Sequence, residues 1–198
     1  MSAQGSAPVP TPQHSSVFNI ANVLTVGRLV MVPLFVVLML FDHPAWRFAA
    51  FAVFVLAAVT DRIDGELARR RNLVTNFGKV ADPIADKALT GAALVVLSFL
   101  GELWWWVTAV ILLREWGITA LRFAVLRYGV IPASRGGKLK TVLQVVAISV
   151  YLFPLPEPLH FAGHALMAVA VGVTVWTGGD YVVQAVRMLR RSGTGRDA

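Results

Sequence analysis

The chain has 198 residues, 57% of them apolar and only 15% charged, whereas a soluble domain carries about 45–50% apolar residues, so one soluble core cannot absorb its apolar content. The net charge of +7 lies beside apolar runs and in no nucleic-acid motif, which argues against nucleic acid and for an anionic membrane surface or a phosphate-bearing substrate. With no cysteine in the chain, disulfides, thiolate metal sites and a cysteine nucleophile are excluded.

Residues 1–16 are rich in Pro, Ser, Gln and Ala and contain no Asp, Glu, Lys or Arg. They have neither the basic start nor the apolar centre of a signal peptide, and read as a disordered cytoplasmic tail. Residues 17–21 can begin a short interfacial helix. Six apolar stretches follow, at 23–40, 46–68, 79–100, 103–128, 138–154 and 160–186. Each approaches the ~20 residues that cross a bilayer. The expected fold is all-α: a polytopic membrane protein of six transmembrane helices behind a short N-terminal interfacial helix. One transmembrane domain is expected over residues 17–187, with a flexible tail at 188–198. Of the 18 Lys and Arg residues, only Arg47 falls on the side of the loops after the first, third and fifth stretches. The side holding all the others, and both termini, is therefore expected to be cytoplasmic.

Four aspartates stand out against this apolar background. Asp61 and Asp64 are followed by Gly65, Ala68 and Arg69; after eight residues come Gly78, Asp82 and Asp86. Spacings of three and four put each pair on one helix face. The first pair ends a span and the second begins the next, with a turn near residues 70–77 between them. All four carboxylates can then converge at one depth. Converging carboxylates repel unless cations hold them, and hard divalent ions such as Mg²⁺ suit oxygen donors and substrate phosphates. Two such ions would neutralise a pyrophosphate and activate an attacking hydroxyl. Gly65, Ala68 and Gly78 allow close approach of a ligand, and Arg69 offers a fixed cation for phosphate. The sum is a site for a metal-bound nucleotide diphosphate at the membrane surface. Four solvated loop-end charges would be the bland alternative.

The run Asp61, Asp64, Gly65, Ala68, Arg69, Gly78, Asp82, Asp86 resembles the signature of the CDP-alcohol phosphatidyltransferases, with every spacing kept. The resemblance implies six transmembrane helices, a homodimer and a dinuclear metal site, with Mg²⁺ or Mn²⁺, facing the cytoplasm of the inner or plasma membrane. It implies that Asp61, Asp64, Asp82 and Asp86 bind metal and that Asp86 is also the general base. Gly65, Arg69 and Thr75 would hold the CDP moiety of CDP-diacylglycerol, and Thr25 and Arg28 would close over it.

Further stretches resemble the branch of that family whose acceptor is glycerol 3-phosphate. They are Asn19 to Arg28 with Pro33, Arg114-Glu115 to Arg122, Gly137 to Gln144, and Gly179-Asp180-Tyr181. Ala21 stands where that branch has proline, a departure that bears on helix entry rather than chemistry. A phosphorylated acceptor needs cations beside the metals, and Arg114, Arg122, Lys138 and Lys140 are the candidates. Glu115 can orient one of the arginines. Lys138 and Lys140 read equally as positive-inside signal, and Arg114 with Glu115 as an internal structural pair. Inositol phosphate, phosphatidylglycerol or serine as acceptor keeps the same fold. A divalent-cation transporter is the rival class, disfavoured because no acid lies in the outer halves of the spans. His160 and His164, and the Trp104 to Trp106 run, read as interfacial residues rather than a site.

Overall fold

The computed structural model describes the backbone of residues 20–70, 76–125, 135–156 and 159–194, and side chains over 25–62, 84–85, 87–121, 139–156 and 159–188. The described residues form six α-helices and no strand. They are α1 (Ile20–Met39), α2 (Pro44–Arg70), α3 (Asn76–Phe99), α4 (Trp105–Val125), α5 (Arg135–Leu152) and α6 (His160–Thr194). The six elements match the six expected apolar stretches. Residues 1–19, including most of the expected interfacial helix, lie outside the described residues; Ile20 and Ala21 form the first turn of α1.

Local chemistry explains the helix ends. Pro44 opens α2 at a position where no backbone donor is needed, and the His43 ring accepts from the Ala45 N–H at 3.1 Å. At the end of α3, Gly101 takes φ +76°. The Glu102 N–H donates back to Leu97 O at 3.0 Å and the Gly101 N–H to Ser98 O at 3.1 Å. This pair of bonds is a Schellman cap, which turns the chain sharply into α4. α6 runs on past the expected end at residue 186 to Thr194, because the Arg, Met and Leu residues there favour helix. Its 35 residues, at about 1.5 Å each, reach about 50 Å, longer than the ~30 Å hydrocarbon core of a bilayer.

Helix α1 packs on α2 and α3, while α6 packs on α4 and α5. Contacts of α2 and α3 with α5, and of α3 with α4, join the two groups. The shared core holds Phe35, Phe54, Leu94, Leu97, Ile111 and Ile148, with the Phe35 and Phe54 rings 5.9 Å apart. Large apolar side chains also cover the outside: Phe161, Trp176, Leu113 and Phe99 are each more than 70% exposed. A soluble protein avoids so continuous an apolar surface.

Among the described residues, two helices are long and apolar enough to cross a membrane, over Pro44–Arg62 and His160–Met188. Only 17% and 33% of their apolar windows are buried, whereas the core helix of a soluble protein is mostly buried. The described apolar parts of α1, α3 and α5 run over Thr25–Met39, Lys87–Phe99 and Leu139–Leu152. In α4 the pair Arg114 and Glu115 interrupts the apolar stretch.

Candidate active site

The site grows from the end of the bundle where α2 finishes and α3 begins. Asp61, Asp64, Gly65, Ala68 and Arg69 lie in the last turns of α2, and Gly78, Asp82 and Asp86 in the first half of α3. These helices pack on each other and both pack on α1, so the backbone brings the two aspartate pairs to one end of the bundle. The side chains of Asp64, Gly65, Ala68, Arg69, Gly78, Asp82 and Asp86 lie outside the described ones, and Thr75 lies outside the described residues altogether.

Asp61 is described, and its partner comes from α1. Arg28 Nη1 stands 2.5 Å from Asp61 Oδ1, with the Arg28 side chain 3% exposed and that of Asp61 37% exposed. A guanidinium so deeply buried is retained only where a carboxylate balances it. Thr25, one turn earlier on α1, is also buried. Arg28, expected with Thr25 to close over the nucleotide, therefore sits against the α2 end that carries the motif. Among the described residues no three His, Cys, Asp or Glu side chains come together as a metal set. The donor chemistry nevertheless fits a hard divalent ion: four aspartates on two neighbouring helices supply only oxygen ligands, and Asp61 is open enough to reach one.

A second polar cluster is built between α3, α4, α5 and α6. Lys140 of α5 is buried and donates to Glu115 Oε1 of α4. Arg114 Nη1 donates to the same oxygen at 3.1 Å, and Arg114 Nη2 to Thr177 Oγ1 of α6 at 3.0 Å. Thr177 bonds its own helix through Val173 O at 2.8 Å, which spends its proton and leaves lone pairs for the guanidinium. Gly178 follows. A Cβ at that position would stand 3.1 Å from Arg114 Cγ, so the missing side chain at Gly178 gives the arginine stem room against α6. Lys87, the residue after Asp86, reaches across from α3. Its Nζ donates to Thr119 Oγ1 and to Glu115 O at 3.4 Å, and lies 5.4 Å from the Trp116 ring centroid. Lys87, Glu115, Trp116, Lys140 and Gln144 line a cavity of about 20 Å³.

Of the four cations expected to meet the acceptor, Arg114 and Lys140 thus converge on Glu115. Arg122 in α4 and Lys138 in the first turn of α5 are helical, with side chains outside the described ones. Lys87, Thr119, Thr177 and Gly178 were not among the expected residues. The available signals were faint: Lys87 adjoins Asp86, and Thr119 stands one turn after Glu115. Thr177 and Gly178 have no signal in the sequence, since only packing brings α6 against α4.

The opposite end of the bundle is chemically different. Both terminal guanidinium nitrogens of Arg47, Nη1 and Nη2, donate to the Glu102 carboxylate, and Nη2 also donates to Tyr151 O at 3.0 Å. His160 Nε2 lies 3.0 Å from Leu155 O and His164 Nδ1 2.8 Å from His160 O. These backbone partners account for both histidines. Trp104 and Trp106 are exposed and stacked at 6.2 Å.

The family model of the CDP-alcohol phosphatidyltransferases matches residues 18–176. The chain belongs to the CDP-alcohol phosphatidyltransferase family. It is a transferase, as that family is, and the matched range contains all four aspartates and all of the expected acceptor cations. The chain is 54% identical over 177 residues to a probable phosphatidylglycerophosphate synthase of Mycobacterium tuberculosis, covering 88% of this chain and 85% of that protein. It is 38% identical over 192 residues to the CDP-diacylglycerol--glycerol-3-phosphate 3-phosphatidyltransferase of Bacillus subtilis, covering 88% and 99%. The protein of the same name from Escherichia coli is 38% identical over 174 residues, covering 85% and 95%.

Proposed function

We propose that this enzyme transfers the phosphatidyl group of CDP-diacylglycerol to sn-glycerol 3-phosphate, giving phosphatidylglycerophosphate and CMP. The reaction accords with the names of its relatives. One observation of its own residues carries the choice of acceptor: the cluster of buried Lys140 with partly buried Glu115 and Arg114, linked to α3 through Lys87 beside Asp86. Buried cations this close to a reaction centre suit a phosphate dianion, and a neutral alcohol would leave them without purpose.

The acceptor hydroxyl attacks the lipid-side phosphorus of CDP-diacylglycerol. The new phosphorus–oxygen bond forms as the bond to the bridging oxygen breaks, and CMP departs with that oxygen. Asp86 takes the hydroxyl proton, a general-base role that its place on α3 beside Lys87 supports. Asp61, Asp64, Asp82 and Asp86 would hold two Mg²⁺ ions, which supply charge neutralisation for the pyrophosphate when bound. Arg28 balances Asp61 and, with Thr25, closes the nucleotide side. Arg69, Thr75, Gly65, Ala68 and Gly78 serve the CDP moiety. Arg114, Arg122, Lys138, Lys140 and Lys87 form the acceptor side.

The same reading has the six helices crossing the membrane, the aspartate end and both termini cytoplasmic, and two copies forming a dimer. The crowding of basic residues at the aspartate end supports the orientation. The test is CMP release by purified protein given CDP-diacylglycerol and a panel of acceptors. Release with glycerol 3-phosphate alone is expected, and chelation of divalent ions should stop it. Release with inositol phosphate but not glycerol 3-phosphate overturns the choice of acceptor.

A further inference from the structure

The enclosed part of this cavity among the described residues, ~20 Å³, is room for about one water, so its charged lining as it stands leaves no space for a phosphate at its centre. The lining contains two ammonium groups, Lys87 and Lys140, and one carboxylate, Glu115. The ammoniums are what a phosphate would bind. The carboxylate is what it would repel.

Glu115 also stands where a phosphate oxygen has reason to be. Its Oε1 accepts from Lys140 Nζ and from Arg114 Nη1 together. Both cations are largely buried, with side chains 4% and 16% exposed, so each needs a neighbouring anion whether or not substrate is present. Arg114 is the chain neighbour of Glu115 and is held from behind by Thr177, so the two can keep their contact as the Glu115 side chain turns. Lys140 belongs to a different helix and can change partners.

We propose that Glu115 is a resident anion of the acceptor pocket. Its carboxylate holds Lys140 and closes the cavity in the acceptor-free enzyme, and the phosphate of the acceptor takes its place on Lys140. This rests on the acceptor-site reading above and adds a specificity device to it. An uncharged alcohol brings no anion to replace the carboxylate on a buried ammonium, so the cavity stays closed to it. A phosphate monoester does, and opens it. Glu115 in this role is a specificity-determining residue and takes no part in the chemical step.

The direction of one kinetic change tests this. Glu115→Gln keeps the shape and removes the competing charge, so the KM for glycerol 3-phosphate should fall by about tenfold, with the KM for CDP-diacylglycerol unchanged. Inorganic phosphate, titrated calorimetrically into the full-length protein in detergent, should bind more tightly by a similar factor. A Glu115 that merely braces the helices gives the opposite sign: a KM and a phosphate affinity that worsen or stay level overturn the proposal. Should Glu115→Gln fail to fold, Glu115→Asp decides; its shorter carboxylate holds Lys140 less well, and the same signs at smaller size are expected. Lys140→Met separates the two levels of the argument. If it raises the acceptor KM while Glu115→Gln does not lower it, only the resident anion falls. If Lys140→Met leaves the acceptor KM unchanged, the acceptor-site reading fails and the resident anion with it.

Discussion

Two ion-pair clusters lie at different depths of the same bundle, and they are built on different principles. At one end Arg47 and Glu102 form a matched pair, one guanidinium on one carboxylate, with Tyr151 O as a further acceptor. In the other cluster a single Glu115 oxygen serves both Lys140 and Arg114. The matched pair is partly open, with side chains 27% and 30% exposed, while the Lys140 side chain is 4% exposed. A matched, half-solvated pair ties α2 to the α3–α4 turn and the end of α5, and needs nothing more. Cations that share one acid in a dry setting are costly as structure alone. The difference separates a fastener from a binding site in a molecule where both look like a salt bridge.

Substitutions can break this contrast, beginning with the largest effect. Asp86→Asn should lower CMP release by about 10²–10⁴-fold, the range a general base supplies, while CDP-diacylglycerol binding is largely kept. Near-normal turnover would remove Asp86 from the base role. Lys87→Met should raise the KM for glycerol 3-phosphate by roughly tenfold, as loss of a charged hydrogen-bond donor does; an unchanged KM would confine Lys87 to packing on Trp116. Gly178→Ala places a Cβ 3.1 Å from Arg114 Cγ. It should cost about 1–3 kcal/mol of stability and weaken acceptor binding more than CDP-lipid binding, read from the two KM values. At the other end, Glu102→Gln should lower thermal stability by about 1 kcal/mol and leave both KM values alone. A shift in the acceptor KM from that substitution would erase the distinction between the two clusters. The smallest effect is expected of His164→Ala, whose described hydrogen bond is to a carbonyl of its own helix: turnover should not change.

Much of the site was legible in the residue order because helix periodicity converts spacing into direction. The intervals of three and four between the aspartates place each pair on one face before any coordinate is known. Glu115 and Arg114 were visible for a related reason, since charges inside an apolar helix must find partners. The partners themselves were not visible. Lys87 looked like one more basic residue near the boundary, and only the approach of α3 to α4 aims it at Thr119 and Glu115. Thr177 and Gly178 sit in an apolar stretch with nothing to distinguish them. The expected crossings were also more uniform than the helices. α6 extends eight residues beyond the end expected for it, since a run of helix formers marks no stop of its own.

The sequence by itself determined the class of the molecule and the chemistry of its reactive end. Apolar stretches of crossing length leave little choice but helices, because a backbone in an apolar medium must satisfy its own hydrogen bonds. Four carboxylates in a fixed register supply the oxygen donors that a hard cation would need. Only the tertiary structure decided which cations share Glu115, that Arg28 belongs to Asp61, and that Gly178 makes room for Arg114. Those pairings depend on which helix faces meet. Packing of side chains across whole helices sets that, and no short run of residues encodes it.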